Sequence, residues 1–262
     1  MAPRAYHLTA LLGAWLVCAG LGCGDDPAGP TTGGAPATVS CITGGTPRPD
    51  SLVLATAELN ALADLDVTSG GETLSASASC SAVLVADEWL LTAAHCTHDP
   101  ASTRVTARFG PRAACGDDGR RAVASAAVYT HAQLDLMLVR LAEAPARVGI
   151  DVTPIRPLPD EALRPGEIVE LAGFGRTEDS LPGQLRFVAE PVSAVAPEWI
   201  EVDGQGRSGA CVADSGGPLL VRDTGGAVRT AGVLADGSAS CIGVDRYVRV
   251  RAALDWLSSL GV

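Results

Sequence analysis

Lysine is absent from the chain, so all 19 cationic side chains are arginine. Asp and Glu number 30, which leaves a formal net charge of −11 at pH 7. A nucleic-acid partner is not expected, because phosphate binding requires a basic surface. Aromatic residues are scarce at 4%, whereas 30 glycines and 17 prolines predict a globular protein with many turns.

Other absences argue against repeat proteins, coiled coils and metal sites. We find no repeat of fixed short period and no coiled-coil heptad pattern. No two cysteines have CxxC spacing, so a zinc site is not expected. Asp117 and Asp118 lack the ligand spacing of a calcium loop. We therefore expect neither a metal nor an organic cofactor.

The N-terminus has the pattern of an export signal. Arg4 supplies a positive charge, and an apolar run at 8–21 follows that is too short to span a bilayer. The sequence GLGC ending at Cys23 resembles a bacterial lipobox, which leaves lipidation of Cys23 and ordinary signal-peptidase cleavage as alternatives. Membrane contact is expected only through such an anchor. The expected divisions are a signal at 1–23, a tether or propeptide at 24–41 and an extracytoplasmic domain at 42–262.

The mature chain has the pattern of an all-β protein. Short apolar runs with β-branched residues alternate with clusters of Gly, Pro, Asp and Ser, which is typical of sandwiches and barrels. Helical spacing occurs only at the end, between Ala252 and Leu260. The Pro-rich segment 147–167 is suited to connect two halves.

Three residues suggest chemistry. Asp135 lies in the apolar sequence LDLML, where a carboxylate is costly to bury without a partner. His95 lies in the apolar segment LTAAHC and would be a suitable partner, although a lone His there is also typical of a core residue. Ser215 lies in DSGGP, which suits a nucleophile in a tight turn and equally an ordinary β-turn. Together, acid, base and hydroxyl are the parts of nucleophilic acyl transfer.

In this order the three segments resemble the histidine, aspartate and serine motifs of the trypsin/chymotrypsin family of serine proteases. The similarity extends from Ile42 to the C-terminal helix, and GFG at 173–175 resembles the family's Gly-Trp-Gly turn. The resemblance implies two antiparallel six-stranded β-barrels with a C-terminal α-helix. It further implies a secreted bacterial endopeptidase, expected to be a monomer, acting on proteins or peptides through Ser215 as nucleophile, His95 as base and Asp135 as orienting acid.

Six cysteines remain beyond the signal, and an even number in an exported chain predicts three disulfides. The resemblance implies two of them, Cys80–Cys96 and Cys211–Cys241. Cys41 and Cys115 are then left as a third pair, the alternative being that both are free or pair with other molecules.

The resemblance also implies an oxyanion hole made by the backbone N–H groups of Ala213 and Ser215. The family has glycine at position 213, so the alanine methyl group either crowds the substrate or is accommodated by a small shift. The sequence ADG at 235–237 stands where the family has Ser-Trp-Gly. Ala235 thus lacks a hydroxyl, Asp236 replaces an apolar wall with a charge, and Gly237 is retained beside the substrate.

Specificity and activation are left open by the sequence. Gly209 stands where trypsin-like members carry the pocket Asp, and Asp245 either supplies the charge from the opposite wall or is a solvated turn residue. Ile42 resembles the family's mature N-terminus, whose amine would pair with Asp214. Cys41 precedes it instead of Arg or Lys, so both cleavage there and no cleavage remain open. A catalytically weak homologue that binds proteins through the same cleft is the alternative function, and an esterase is a third.

Overall fold

The computed structural model describes residues 56–65, 74–97, 104–110, 121–159, 162–177 and 185–262. The predicted signal and tether, as well as Cys41, Ile42 and Cys115, lie outside these residues. Within the described ranges, twelve antiparallel strands form two closed six-stranded barrels. This confirms the predicted fold.

The first barrel has the strand order β1-β2-β3-β6-β5-β4. Its strands are β1 (Thr56–Leu65), β2 (Leu74–Ala86), β3 (Trp89–Thr92), β4 (Arg104–Phe109), β5 (Arg121–Thr130) and β6 (Met137–Leu141). The second barrel repeats this order as β10-β11-β12-β9-β8-β7. Its strands are β7 (Ile168–Gly173), β8 (Arg186–Val195), β9 (Trp199–Asp203), β10 (Pro218–Arg222), β11 (Val228–Asp236) and β12 (Val244–Arg249).

Alternation of side chains explains why such short segments form barrel strands. In β4, Val105, Ala107 and Phe109 are buried, whereas Arg104 is exposed and Arg108 only partly buried. Successive side chains of a strand point to opposite faces, so this period of two directs the apolar set inwards. The same alternation occurs in β9. Neither strand was identified from the sequence, because each contributes only two or three buried residues.

Two apolar cores result. One fills the first barrel and continues into the second through residues such as Phe174, Leu220 and Val233. The other lies inside the second barrel around Ile200 and Tyr247. The barrels therefore share packed side chains, which fixes the relative position of the loops between them.

The second barrel closes through a short seam. Strands β7 and β10 pair at only two positions, Leu219 with Leu171 and Leu220 with Glu170. A register shift between Leu219 and Leu220 lies in the same stretch, where β10 pairs with β11. The seam begins just after the DSGGP segment. The serine-bearing loop therefore enters the second barrel next to the strand pair that has the fewest paired residues.

The chain leaves the second barrel through a helical end. A 3₁₀ turn at Val250–Ala253 leads into α1 (Leu254–Ser259), whose Leu257 is buried. The helix is thus shorter than the spacing from Ala252 to Leu260 predicted, because the first residues take the tighter 3₁₀ form. The Pro-rich segment connects the last strand of the first barrel to the first strand of the second. No described helix is long and apolar enough to cross a membrane.

Two valines on neighbouring strands, one buried and one exposed, allow a test of the apolar core inside the second barrel. Val202 is fully buried in β9, whereas Val244 in β12 is 47% exposed. We expect Val202→Ala to lower the free energy of unfolding by about 2 kcal/mol, through lost burial and the cavity left behind. Val244→Ala, the matched control, should change it by less than about 0.5 kcal/mol. Urea unfolding followed by circular dichroism measures both, and equal losses would contradict the assigned core.

Candidate active site

His95 lies on a short 3₁₀ turn, Ala94–Cys96, directly after β3. A disulfide joins Cys96 to Cys80 on β2 and so holds the turn against the barrel wall. The Thr92 hydroxyl donates a hydrogen bond of 2.7 Å to the Ser81 carbonyl oxygen. The histidine is therefore presented by a turn fixed at both of its ends.

Asp135 lies in the bend between β5 and β6. His131 braces this bend, because its ring Nδ1 accepts hydrogen bonds from the backbone N–H groups of Gln133 and Leu134, at 3.1 and 3.0 Å. The same ring packs edge-on against Trp256 of α1, with ring centroids 5.2 Å apart. The C-terminal helix thus supports the bend that carries the acid.

The bend brings Asp135 into contact with His95. Nδ1 of His95 lies 2.7 Å from Oδ2 of Asp135, and the His95 backbone N–H donates to Oδ1 at 2.9 Å. The His95 side chain is 44% exposed and the Asp135 side chain 27%. Two hydrogen bonds from His95 therefore hold the Asp135 carboxylate, while the imidazole remains partly exposed to solvent.

The environment moves both pKa values. The hydrogen bond that His95 donates to Asp135 raises the pKa of His95, burial opposes this, and the negative charges of Asp135 and Asp236 add to the rise. Burial would raise the pKa of Asp135, but the hydrogen bonds from His95 and from the Ala94 backbone together lower it. The pair is thus electrostatically prepared to hold an imidazolium beside a carboxylate.

Ser215 lies in the loop before β10, and this loop is hydrogen-bonded on both sides. The Ser81 backbone N–H donates to the Ser215 carbonyl oxygen at 2.8 Å. On the other side, Gly216 N–H donates to the Leu234 carbonyl at 2.8 Å, and Leu234 N–H donates to the Gly217 carbonyl at 2.9 Å. The loop therefore joins strand β2 of the first barrel to strand β11 of the second.

The serine segment packs against the histidine segment. The Cys96 sulfur lies 3.8 Å from the Ser215 carbonyl oxygen. A Cβ at Gly216 would overlap the Thr92 hydroxyl and the Ser81 carbonyl, so only glycine fits this approach. The structure thus brings the three sequence-predicted residues onto adjoining segments, with the His95–Asp135 contact direct.

Ala213 occupies the third position of a tight turn. Asp214 N–H donates to the Cys211 carbonyl at 3.0 Å, and Ala213 has φ of 76°. These are the features of a type II turn, which ordinarily places glycine at that position. An alanine in the left-handed region costs roughly 1–2 kcal/mol. The methyl group is therefore accommodated with the backbone kept in a glycine-like conformation.

Asp214 is buried beside this turn. Its Oδ1 accepts the Gly175 N–H at 2.7 Å and its Oδ2 accepts the Cys211 N–H at 2.9 Å. Burial raises its pKa to about 7, against these two hydrogen bonds. A Cβ at Gly173 or Gly175 would overlap the carboxylate, so the GFG segment leaves the space that the acid occupies. The expected pairing of Asp214 with Ile42 lies outside the described residues.

The sequence-predicted substrate residues fall into two groups. Ala235, Asp236 and Gly237 follow Leu234 along the end of β11, beside the serine loop, with Asp236 and Gly237 exposed. Gly209 and Asp245 lie together deeper in the second barrel, with a Cβ at Gly209 falling 3.2 Å from Oδ2 of Asp245. A disulfide between Cys211 and Cys241 closes the wall beside them.

Asp245 is not the solvated turn residue that was one sequence alternative. It lies in β12 with no exposed surface, and its oxygens accept the backbone N–H groups of Ala210 at 2.6 Å and Ser238 at 3.2 Å. Burial raises its pKa to about 6, against those hydrogen bonds and with the help of the negative Asp236 and Asp203. The solvated alternative is therefore wrong.

Glu190 is a further acid that sequence reasoning missed. It lies in β8 with 1% of its surface exposed, and neither carboxylate oxygen has a hydrogen-bond partner among the described residues. Burial raises its pKa to about 7; the nearby Ser208 side chain, which does not reach hydrogen-bond geometry, opposes the rise, and the negative charges of Asp245 and Asp203 add to it. A lone acid within an apolar run was the signal that singled out Asp135, and the sequence RFVAEPV carries the same signal.

One group of metal-ligand side chains lies close together within the described ranges: Cys80, His95 and Cys96. The two sulfurs are joined in a disulfide and offer no thiolate. The three side chains therefore do not suit a metal ion, and His95 is left to its contact with Asp135.

Comparisons with known proteins agree with this geometry. A family model described as Trypsin matches residues 57–257. Snake venom serine proteinase 12 of Crotalus adamanteus is 27% identical over 209 residues, covering 69% of this chain and 77% of that protein. Kallikrein-8 of Homo sapiens is 29% identical over 211 residues, covering 69% and 76%. A solved structure described as "Structure of GrC" superposes with a TM-score of 0.66 at 22% identity, covering 83% of this chain and 98% of that one, which shows the shared fold.

The charge of Asp236 gives a test of the site's electrostatics. Because that charge raises the pKa of His95, Asp236→Asn should lower the pKa. The protein should then lose the imidazole proton at a lower pH than wild type. NMR titration of the His95 ring measures this, with Asp151→Asn on the exposed surface as the matched control. An unchanged His95 titration in Asp236→Asn, or an equal shift in the control, would contradict the assigned influence.

Proposed function

The chain belongs to the trypsin family and is a serine-type endopeptidase, and we propose that it cleaves peptide bonds with Ser215, His95 and Asp135 as its catalytic triad. The observation that carries this assignment is the 2.7 Å contact between His95 Nδ1 and Asp135 Oδ2, on a segment packed against the serine loop. Proteins and peptides are the substrate class of this family.

The His–Asp contact supports a division of labour. With Nδ1–H donated to Asp135, the imidazole takes the tautomer whose Nε2 is a free acceptor. Nε2 then receives the proton of the Ser215 hydroxyl as its oxygen attacks the scissile carbonyl, and passes that proton to the leaving amine. Asp135 stabilises the imidazolium formed between these steps. Water then attacks the acyl group and gives its proton to Nε2, and the Ser215 oxygen leaves with that proton as the acyl group is released.

The developing oxyanion needs donors that are fixed before the reaction. We assign this role to the backbone N–H groups of Ala213 and Ser215. The hydrogen bonding of the turn supports the assignment, because the N–H and the carbonyl of the planar trans Val212–Ala213 peptide point in opposite directions. The carbonyl side is taken up by Arg176 N–H at 2.8 Å, which leaves the N–H for the cleft.

The nucleophile is tested directly with a fluorophosphonate probe, which reacts with an activated serine. Wild-type protein, with its N-terminus mapped, should be labelled, and Ser215→Ala should not be. Turnover of a peptide substrate should fall by roughly 10⁶-fold in that variant. Ser193→Ala on the exposed face of β8 is the matched control and should be labelled like wild type. Unlabelled wild type would instead favour the binding homologue considered from the sequence.

We also assign the primary pocket a preference for a cationic side chain. A Cβ at residue 209 would lie 2.9 Å from the Cys241 carbonyl oxygen and 3.2 Å from Asp245 Oδ2, which is too close for a side chain, so glycine leaves these two oxygens uncovered by residue 209. Two oxygen acceptors favour a positively charged donor. Glu190 adds a second buried carboxyl group, whose pKa the negative charge of Asp245 helps to raise.

This preference should depend on pH. With the Asp245 pKa raised to about 6, the carboxyl group ionises between pH 5 and 7, and the ratio of kcat/KM for P1 Arg over P1 citrulline should rise over that interval. Asp245→Asn should lower the ratio at pH 8 by at least about tenfold. Glu167→Asn on the exposed surface is the control. A ratio that is unchanged in Asp245→Asn, while P1 Leu substrates are still cleaved, would overturn the assignment.

Export of the chain stays a prediction. Two disulfides support it, since such bonds persist in oxidising compartments. Mass spectrometry of the mature N-terminus would distinguish lipidation at Cys23, plain signal cleavage and a cut before Ile42. The Cys41–Cys115 bridge and the monomeric state are likewise predictions, open to peptide mapping and to analytical ultracentrifugation.

A further inference from the structure

Glu190 is a buried carboxyl group that the proposed triad does not use. It lies in β8 with 1% of its surface exposed, and neither of its oxygens has a hydrogen-bond partner among the described residues. On the β7 side its ladder partner is the apolar Val169. An ionised carboxylate is costly to bury without a partner, so this group is expected to keep its proton until a positive charge comes near.

The Glu190 carboxyl group lies against the turn that leads to the primary pocket. Its Oε1 would be 3.0 Å from a Cβ at Gly204, and the same Cβ would overlap the Ser208 carbonyl. The Ser208 N–H donates to the Gly204 carbonyl at 3.4 Å, which closes the turn. Gly209, which leaves Asp245 uncovered, follows directly. This turn therefore connects the surroundings of the two buried acids.

Negative charges surround this carboxyl group. Burial, together with the charges of Asp245 in β12 and Asp203 in β9, raises the pKa of Glu190 to about 7. Tyr247 of β12 adds no charge, because burial and the nearby acids raise its pKa well above the ordinary value. Arg186 is on the same face of β8 but four residues away, which is about 13 Å along a strand. Buried like charges do not all ionise near neutral pH, so a proton is retained here.

A cation in the primary pocket would change this balance. It would bring a positive charge next to Asp245, in a barrel interior where charges are only weakly screened. Attraction to that charge favours the ionised form of Glu190. The coupling is reciprocal, so ionisation of Glu190 in turn strengthens binding of the cation.

We propose that Glu190 couples cation binding in the primary pocket to the release of a proton: its carboxyl group is protonated while the pocket is empty and ionises when an amidinium or guanidinium group binds beside Asp245. The O–H bond of the carboxyl group breaks, the proton passes to the solvent buffer, and no other bond changes. The inference rests on the cationic preference proposed for the pocket and is independent of the triad.

Calorimetric titration with benzamidine, an amidinium ion at neutral pH, counts the protons released. A carboxyl group with a pKa of about 7 is half protonated at pH 7. Binding enthalpies in phosphate and Tris buffers should therefore give about 0.3–0.5 proton more for wild type than for Glu190→Gln. Any share of His95 is common to both proteins. Glu167→Gln on the exposed surface is the matched control and should release protons like wild type.

The pH dependence of affinity gives a second measure, which a merely structural role of Glu190 would not change. Because Glu190 ionises as pH rises, its attraction for a bound cation grows with pH. The benzamidine Kd of wild type should therefore fall at least about threefold more between pH 6 and pH 8 than the Kd of Glu190→Gln. Glu190→Leu, which places an apolar group in the buried site, should behave like Glu190→Gln.

The outcomes separate this inference from the proposed function. Equal proton release and equal pH dependence in wild type and the Glu190 variants would overturn the inference, while weaker binding in Asp245→Asn would still support the cationic pocket. If benzamidine binds Asp245→Asn as tightly as wild type, the cationic pocket fails and the inference fails with it. Absence of fluorophosphonate labelling would count against the triad alone, because the titrations require no turnover.

Discussion

Backbone hydrogen bonds fasten the serine-bearing loop to both barrels at once. Ser81 holds it from β2 and Leu234 holds it from β11, so neither barrel alone could fix its course. The His95 turn is tied to the same place, because the Thr92 hydroxyl binds the Ser81 carbonyl. The proposed nucleophile and the proposed base are therefore positioned by one shared stretch of strand, and the order of the site depends on the packing between the barrels.

Three buried acids of the second barrel lie beside this loop, and their ionisation is unfavourable. Asp214, Glu190 and Asp245 are buried, and their pKa values are raised to about 7, 7 and 6. An acid whose folded pKa lies above its unfolded value binds more protons when folded. Its contribution to stability is therefore present at low pH and is lost as pH rises through the folded pKa. The free energy of unfolding therefore falls as pH rises from about 4 to 7 and these three acids ionise. Destabilising groups of this kind are common at functional sites.

The sequence predicted an all-β fold from its short apolar runs, and the resemblance of three short motifs implied the two barrels and the three proposed triad positions, because those signals are local. A lone Asp in LDLML and a His in LTAAHC are visible without knowing the fold. Ser81 carried no such signal, since a serine in an apolar strand is ordinary and the hydrogen-bond partners of its side chain, Phe174 and Ala213, are more than ninety residues away. The conformation of Ala213 was equally hidden, because it depends on the hydrogen bond that the Arg176 N–H makes to the Val212 carbonyl. The sequence therefore predicted the local motifs but not the polar contacts between residues that are far apart in the chain.

The contact between His131 and Trp256 bears on the order in which the site is completed. Trp256 follows Asp135 by 121 residues, so during synthesis the acid-bearing bend receives its ring partner only after the second barrel has emerged. The serine arrives in the same late part of the chain. A newly made first barrel therefore holds His95 without Ser215 beside it and without a braced Asp135, so the proposed triad is complete only once the last strands and the closing helix are made.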